Sequence, residues 1–199
     1  MTEKLDLFKL HKEEYAAPKK PKLVQTQPGL YLAIEGLGEP GGELFSQHTE
    51  ALYTLAYTIK FTQKAAGRDF KVSTLEGLWW GWDPDDVTKE VNWKLLVRVP
   101  DFVTEADRTA AEAAVLEKGK TTVVKQVRLE MLDEGLCVQM LHVGRYEDEP
   151  TTIAAMMVLV GAEGKQVAGH LHEIYLSDPK RVPPERWRTI LRYPVEEKS

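Results

Sequence analysis

The chain has 199 residues, 43% of them hydrophobic and 29% charged, a composition that suits one compact fold or two small ones and excludes a disordered chain. A formal net charge of -5, from 26 Lys and Arg against 31 Asp and Glu, argues against direct binding to nucleic acid, because no cationic cluster is legible beyond KKPK near residue 20. The single cysteine, Cys137, excludes an intramolecular disulfide and a thiolate-rich metal site, and reads as a buried thiol. No apolar run approaches the ~20 residues that span a bilayer. The N-terminus mixes acidic and basic positions and has no signal-like core. A cytoplasmic protein without membrane contact is expected.

Residues 1–20 are charged and mixed and close on AAPKKP, which reads as an arm or short helix laid over the body. The fold is expected to start at Lys22. LVQTQPGLYLAIEG supplies two short extended runs around Pro28 and Gly29, and GEPGG then breaks the chain. In ELFSQHTEALYTLAYTIKFTQKA, Phe45, His48, Leu52, Leu55 and Ile59 recur at three and four, the stripe of an amphipathic helix. FKVSTLEGLWWGW and VNWKLLVRV read as strands around the turn DPDDVTKE.

A linking helix, about 103–118, follows in DFVTEADRTAAEAAVLEKG. VVKQVRLEMLDEGLCVQMLHV then reads as two strands about the turn Asp133 to Gly135, and EDEPTTIAAMMVLVGAEG as a helix. Acidic residues and Pro150 signal that helix's first turn, and Ile153, Met156, Met157 and Val160 form its apolar stripe. The strand VAGHLHEIYLSD, the turn DPKRVPPER and the closing strand TILRYPV complete the chain. Element order thus predicts an α+β fold of two duplicated ββαββ-type modules, about 21–100 and 121–196, with antiparallel sheets, helices on one side and a central cleft.

Strand parity places Leu171, Glu173 and Tyr175 on one face, and His170, His172, Ile174 and Leu176 on the other. The apolar Ile174 and Leu176 mark their face as the one against the helix, so Glu173 and Tyr175 are expected on the opposite, concave side. A carboxylate and a phenol two apart on a strand lie roughly 6 to 7 Å apart at Cβ and can flank one small ligand; ordinary solvent-facing residues fit the same pattern. His170 and His172, with His142 as a third candidate, allow a metal, but Glu173 falls on the wrong face to complete the set. Hydrogen-bonded structural histidines are the expected reading, with no metal.

LEGLWWGWDP, residues 75–84, carries three of the five tryptophans. Glu76, Leu78, Trp80 and Trp82 share a face and Trp79 takes the other; aromatic walls with a carboxylate suit an apolar or cationic ligand, and core packing competes for each ring. Tyr53 and Tyr57 on the first long helix and Tyr146 before the second are further lining candidates. GEPGG lacks the lysine and hydroxyl of a phosphate loop, and HExxH, CxxC and GxSxG are missing. No cofactor is expected.

The segments GLWWG (77–81), GRYEDEPTTIAAM (144–156) and GHLHEIYLSDPKRVPPERWRTILRYPV (169–195) together resemble the GyrI-like small-molecule-binding family over roughly residues 20–195. The resemblance implies a stand-alone relative of the effector-binding domains of multidrug-responsive regulators, here with no obvious helix-turn-helix extension. Glu173 looks like the glutamate with which the regulator branch recognises cationic lipophilic drugs. EIYLSDP and the WW pair look like the branch of hydrolases that open the cyclopropane ring of DNA-alkylating compounds and protect the cell.

The resulting expectation is a cofactor-independent cyclopropanoid hydrolase, with Glu173 as base and Tyr175 or Tyr146 as donor to the developing oxyanion. Trp80, Trp82, Glu76, Trp79, Tyr53 and Tyr57 are the expected ligand contacts. The alternatives are a non-catalytic binder of hydrophobic, aromatic or cationic small molecules, and a protein-interaction module of gyrase-modulator type. A monomer and a dimer both fit.

Overall fold

The computed structural model describes residues 4–82 and 90–198. In chain order the elements are α1 (Leu7–Leu10), α2 (Lys12–Tyr15), β1 (Lys22–Gln25), β2 (Gly29–Gly38), α3 (Glu43–Ala65), β3 (Leu75–Trp80), β4 (Val91–Val99), α4 (Glu105–Glu117), β5 (Arg128–Leu132), β6 (Leu136–Val143), α5 (Glu149–Ala162), β7 (Lys165–Val167), β8 (Leu171–Tyr175) and β9 (Arg188–Glu197). The chain is α+β with antiparallel sheet pairing. The expected turn DPDDVTKE lies, apart from Glu90, outside the described residues.

The fold divides into two compact units that are discontinuous in sequence. The first comprises the described residues of Met1–Leu10, Gly29–Leu75 and Trp79–Leu132. In it β2 pairs with β4 on one side and β5 on the other. α3 buries His48, Leu52, Leu55 and Ile59 of its stripe, while Phe45 packs at the edge of the same core. This face meets Leu32, Ile34, Trp93, Leu95 and Val97, and each fully buried aliphatic side chain contributes about 1.5–3 kcal/mol. α4 starts at a capping box in which Thr104 Oγ1 accepts from the Asp107 backbone and Asp107 accepts from the Thr104 backbone. Such a cap contributes roughly 1 kcal/mol.

The second unit comprises His11–Pro28, Glu76–Leu78 and the described residues of Asp133–Ser199. Its strands run β1-β6-β9-β8, followed by the Glu76–Leu78 part of β3, and β7 adds to β9. One sheet face carries Val138, Leu191 and Val195, which pack with Met156 and Val160 of α5. The other carries Gln139, His172 and Arg192 and is strapped by the N-terminal arm. Leu141 N donates to Pro18 O at 2.9 Å, Gln139 Nε2 to Glu13 O at 3.1 Å and Arg192 Nη2 to Glu14 O at 2.7 Å.

This arrangement corrects one expectation. Glu173 stands opposite Leu191 in the β8–β9 register, and residues directly opposite share a face. Glu173, Tyr175 and Leu171 therefore lie on the side of α5, while Ile174 pairs with Ile190 on the side of His172 and Arg192. Parity separates the two faces of a strand correctly, but β8 is buried on both. Apolar residues then occur on each side and cannot mark which one the helix covers.

Candidate functional site

Glu173 is brought to its place by β8 and by the α5 helix that covers its face. Tyr175, one pleat further along, donates its hydroxyl to Glu173 Oε2 at 2.6 Å. Tyr146 comes from the 3-10 turn Tyr146–Asp148 that leads into α5. Its ring meets Tyr175 edge-on, with centroids 6.0 Å apart and an angle of 80°. It also lies 4.8 Å from Trp187 at 32°. Trp187 is itself oriented, because Nε1 donates to the Val182 carbonyl at 2.8 Å.

α5 contributes the second acidic group. Glu149 is its first residue, Pro150 occupies the first turn, and the Glu149 side chain is buried. It hydrogen-bonds to Glu173. Burial first, and then the charge of Glu173, hold the Glu149 carboxyl protonated well above the usual carboxylate range. Two acids that meet in this way share one proton and titrate as a pair. The surrounding phenols are kept neutral by the same two causes. Tyr146 is pushed up to about 12, and Tyr175 and Tyr193 are raised as well. The site thus offers one negative charge, neutral hydrogen-bond donors and aromatic surface.

The opposite face of the same strands holds a buried ionic network. His172 Nε2 is 3.0 Å from Glu76 Oε2 and Nδ1 is 2.8 Å from Glu134 Oε2. The Tyr15 hydroxyl donates to Glu76 Oε1 at 3.0 Å. Arg192 donates from Nη1 to Glu134 Oε2 and from Nε to Gln139 Oε1, both at 3.2 Å. Burial opposes a charge on His172, yet Glu134 and Glu76 outweigh it and raise the imidazole to about 9. Burial likewise opposes the Glu134 charge, and His172 and Arg192 overcome it, holding the carboxyl at about 2. His172 is therefore a cation between two carboxylates, a role that metal ligation cannot share.

His142 accepts from Thr152 Oγ1 through Nδ1 at 2.8 Å and donates from Nε2 to the Arg145 carbonyl, also at 2.8 Å, because a carbonyl can only accept. His170 is exposed. Among the described residues no group of three or more His, Cys, Asp or Glu could hold a metal ion.

Of the residues expected from the sequence, Glu173, Tyr175 and Tyr146 are brought together. Glu76 belongs to the second unit but sits, fully buried, in the ionic network. The remaining candidates lie in the first unit. Trp79 stacks on Phe45 at 5.9 Å and leans on Trp93. Trp80 is half-buried and Trp82 is exposed. Tyr53 and Tyr57 stack along α3 with Phe61 beyond them.

Glu149, Trp187 and Tyr193 were missed. Glu149 was read only as a favourable charge at a helix start, although an acid next to Pro150 and three residues past a tyrosine places it beside that ring. The parity of TILRYPV, extended back to Trp187, puts Trp187, Leu191 and Tyr193 on one face and could have found the other two.

A helix-backed antiparallel sheet here carries a buried acidic pair ringed by phenols and an indole, groups of the kind that line small-molecule sites. The chain belongs to the GyrI-like family, whose small molecule binding domain model matches residues 20–196. It is similar to an uncharacterized conserved protein from Listeria innocua, with 36% identity over 97% of this chain and 100% of the other and a TM-score of 0.91. A hydrolase from Listeria innocua is also similar, with 36% identity over 97% of this chain and 100% of the other and a TM-score of 0.88. The C-terminal domain of EcmrR shares the fold at 14% identity, over 90% of this chain and 98% of that domain, with a TM-score of 0.56. Comparison with curated proteins finds no match. Among the described residues no helix is long and apolar enough to cross a membrane.

Proposed function

We propose that this chain is a cytoplasmic, cofactor-independent hydrolase that opens the strained ring of cyclopropane-bearing compounds of the DNA-alkylating type and so protects the cell. The observation that carries the reading is the Tyr175–Glu173 hydrogen bond of 2.6 Å beside Tyr146 and the buried acid Glu149. It combines an oriented base with neutral donors. The similarity to a hydrolase from Listeria innocua at 36% identity supports the same reading.

In this mechanism a planar substrate lies against the Tyr146 and Trp187 rings. Water attacks the ring methylene and gives its proton to Glu173 as the new C–O bond forms. The ring C–C bond breaks, and its electron pair moves through the conjugated system onto the carbonyl oxygen. Tyr146 donates a hydrogen bond to that oxygen as it becomes a phenolate, which takes a proton from solvent. The products are a primary alcohol and a phenol, and ring strain supplies much of the driving force.

A second reading is a binder that sequesters lipophilic cations without chemistry. One negative charge facing aromatic rings favours it. Incubation with cyclopropane-bearing alkylators and with lipophilic cations, followed by mass analysis of bound and released compound, separates the two. A product heavier by one water supports the hydrolase, and recovery of every compound unchanged supports the binder.

A further inference from the structure

Glu149 is used by no step of the mechanism above, yet its position is unusual. It is 5% exposed at the first turn of a helix whose start Pro150 pins. Its carboxyl meets Glu173, and among the described residues no donor reaches its buried Oε1. A buried acceptor without a donor costs stability and is retained where something else fills it. A donor with two protons and a compact shape, a water molecule, suits an oxygen placed beside a second acceptor.

We infer that Glu149 is a second catalytic carboxyl, which as the neutral acid donates to Glu173 and through Oε1 holds the attacking water. The inference rests on the hydrolase reading proposed above. The water gives one hydrogen bond to Glu173 and one to Glu149 Oε1, so its lone pair faces the ring carbon. On attack the proton passes to Glu173, the C–O bond forms and the ring C–C bond breaks. Glu149 keeps its proton throughout. Glu173 then loses the water's proton to solvent, so the pair returns to its starting charge.

Among the described residues, several titratable groups face Glu149. Glu147 and Tyr146 approach from the preceding turn, Glu173 and Tyr175 from β8 and Tyr193 from β9. His142 of β6 is committed to Thr152 and to the Arg145 carbonyl. None of these interactions supplies a cation to Glu149, so the neutral acid is the form that fits.

The test is the pH dependence of kcat/KM for the wild type, Glu149→Gln and Glu149→Ala with a spirocyclopropyl dienone. Glutamine keeps both the donor and the acceptor oxygen. Its turnover is expected within about threefold of wild type at neutral pH, while alanine falls roughly a hundredfold at little-changed KM. The wild type loses activity in alkali as Glu149 ionises, and the glutamine variant keeps it. Equal damage from glutamine and alanine, or an alkaline limb that survives in Glu149→Gln, overturns the inference. If the wild type leaves the dienone intact, the hydrolase reading fails by itself. Glu149 is then decided by carboxyl-carbon NMR of glutamate-labelled protein at neutral pH. A protonated resonance lost in Glu149→Gln supports the neutral acid, and its absence from the wild type overturns it.

Discussion

Tyr175 and Glu173, two residues apart on β8, are joined by a 2.6 Å hydrogen bond in which the phenol donates and the carboxylate accepts. Neighbouring side chains on one strand face stand roughly 6 to 7 Å apart at Cβ. The long tyrosine bridges that gap and leans back along the strand. The bond fixes the orientation of the carboxylate.

Replacing Tyr175 by phenylalanine removes this donor and keeps the ring. A hydrogen bond to a charged group contributes about 1.5–3 kcal/mol. Turnover of a cyclopropane substrate is therefore expected to fall roughly tenfold to a hundredfold, with the ring contact to Tyr146 intact. Steady-state kinetics checks the fall, and near-ultraviolet circular dichroism checks the contact.

The His172 network predicts how stability varies with pH. The folded imidazole titrates at about 9 against its ordinary 6.5, so its contribution is complete below about 6.5 and lost as pH rises through about 9. The linked free energy is on the order of 3 kcal/mol. Glu134 acts in the opposite sense: its folded value of about 2 against 4.5 makes its contribution complete above about 4.5 and lost as pH falls through about 2. Urea unfolding should therefore show the greatest contribution from both groups between about pH 4.5 and 6.5. His172→Gln should cost about 3–5 kcal/mol and flatten the alkaline decline.

Tyr15→Phe isolates the contribution of the arm. Glu76 is fully buried and would lose the donor 3.0 Å from its Oε1. A loss of about 1–3 kcal/mol in unfolding free energy is expected. Turnover at the Glu173 site should stay unchanged, because Glu76 and Glu173 lie on opposite faces of the sheet.

In the first unit, Gly36 stands opposite Trp93 in the β2–β4 register. A Cβ there would come within 2.5 Å of the Trp93 ring. Trp93 is fully buried and its Nε1 donates to His48 Nδ1 at 3.4 Å, so the ring has no room to yield. Gly36→Ala is expected to lower stability by about 1–3 kcal/mol by thermal or urea unfolding.

Features set by local periodicity were legible in the sequence. The helix over 43–65 and the strand over 91–99 have the bounds that their patterns suggest, and parity alone brought Glu173 and Tyr175 to one face. Features set by distant pairing were not. β1 joins β6, and β5 joins β2, although neither partner is a sequence neighbour. Which face of β8 receives α5 is decided by the same long-range assembly, since Ile174 and Leu191 are equally buried on opposite sides. Glu149 escaped notice because its meaning comes from meeting Glu173, 24 residues further along the chain.

The central claim is that the Glu173 carboxylate takes a proton from water. Single-turnover hydrolysis of a spirocyclopropyl dienone by Glu173→Gln, with binding of the same compound followed by fluorescence, tests it most directly. Binding is expected to be retained and hydrolysis lowered by roughly a hundredfold or more, the scale of a lost general base. Hydrolysis at the wild-type rate by a folded Glu173→Gln protein would contradict it.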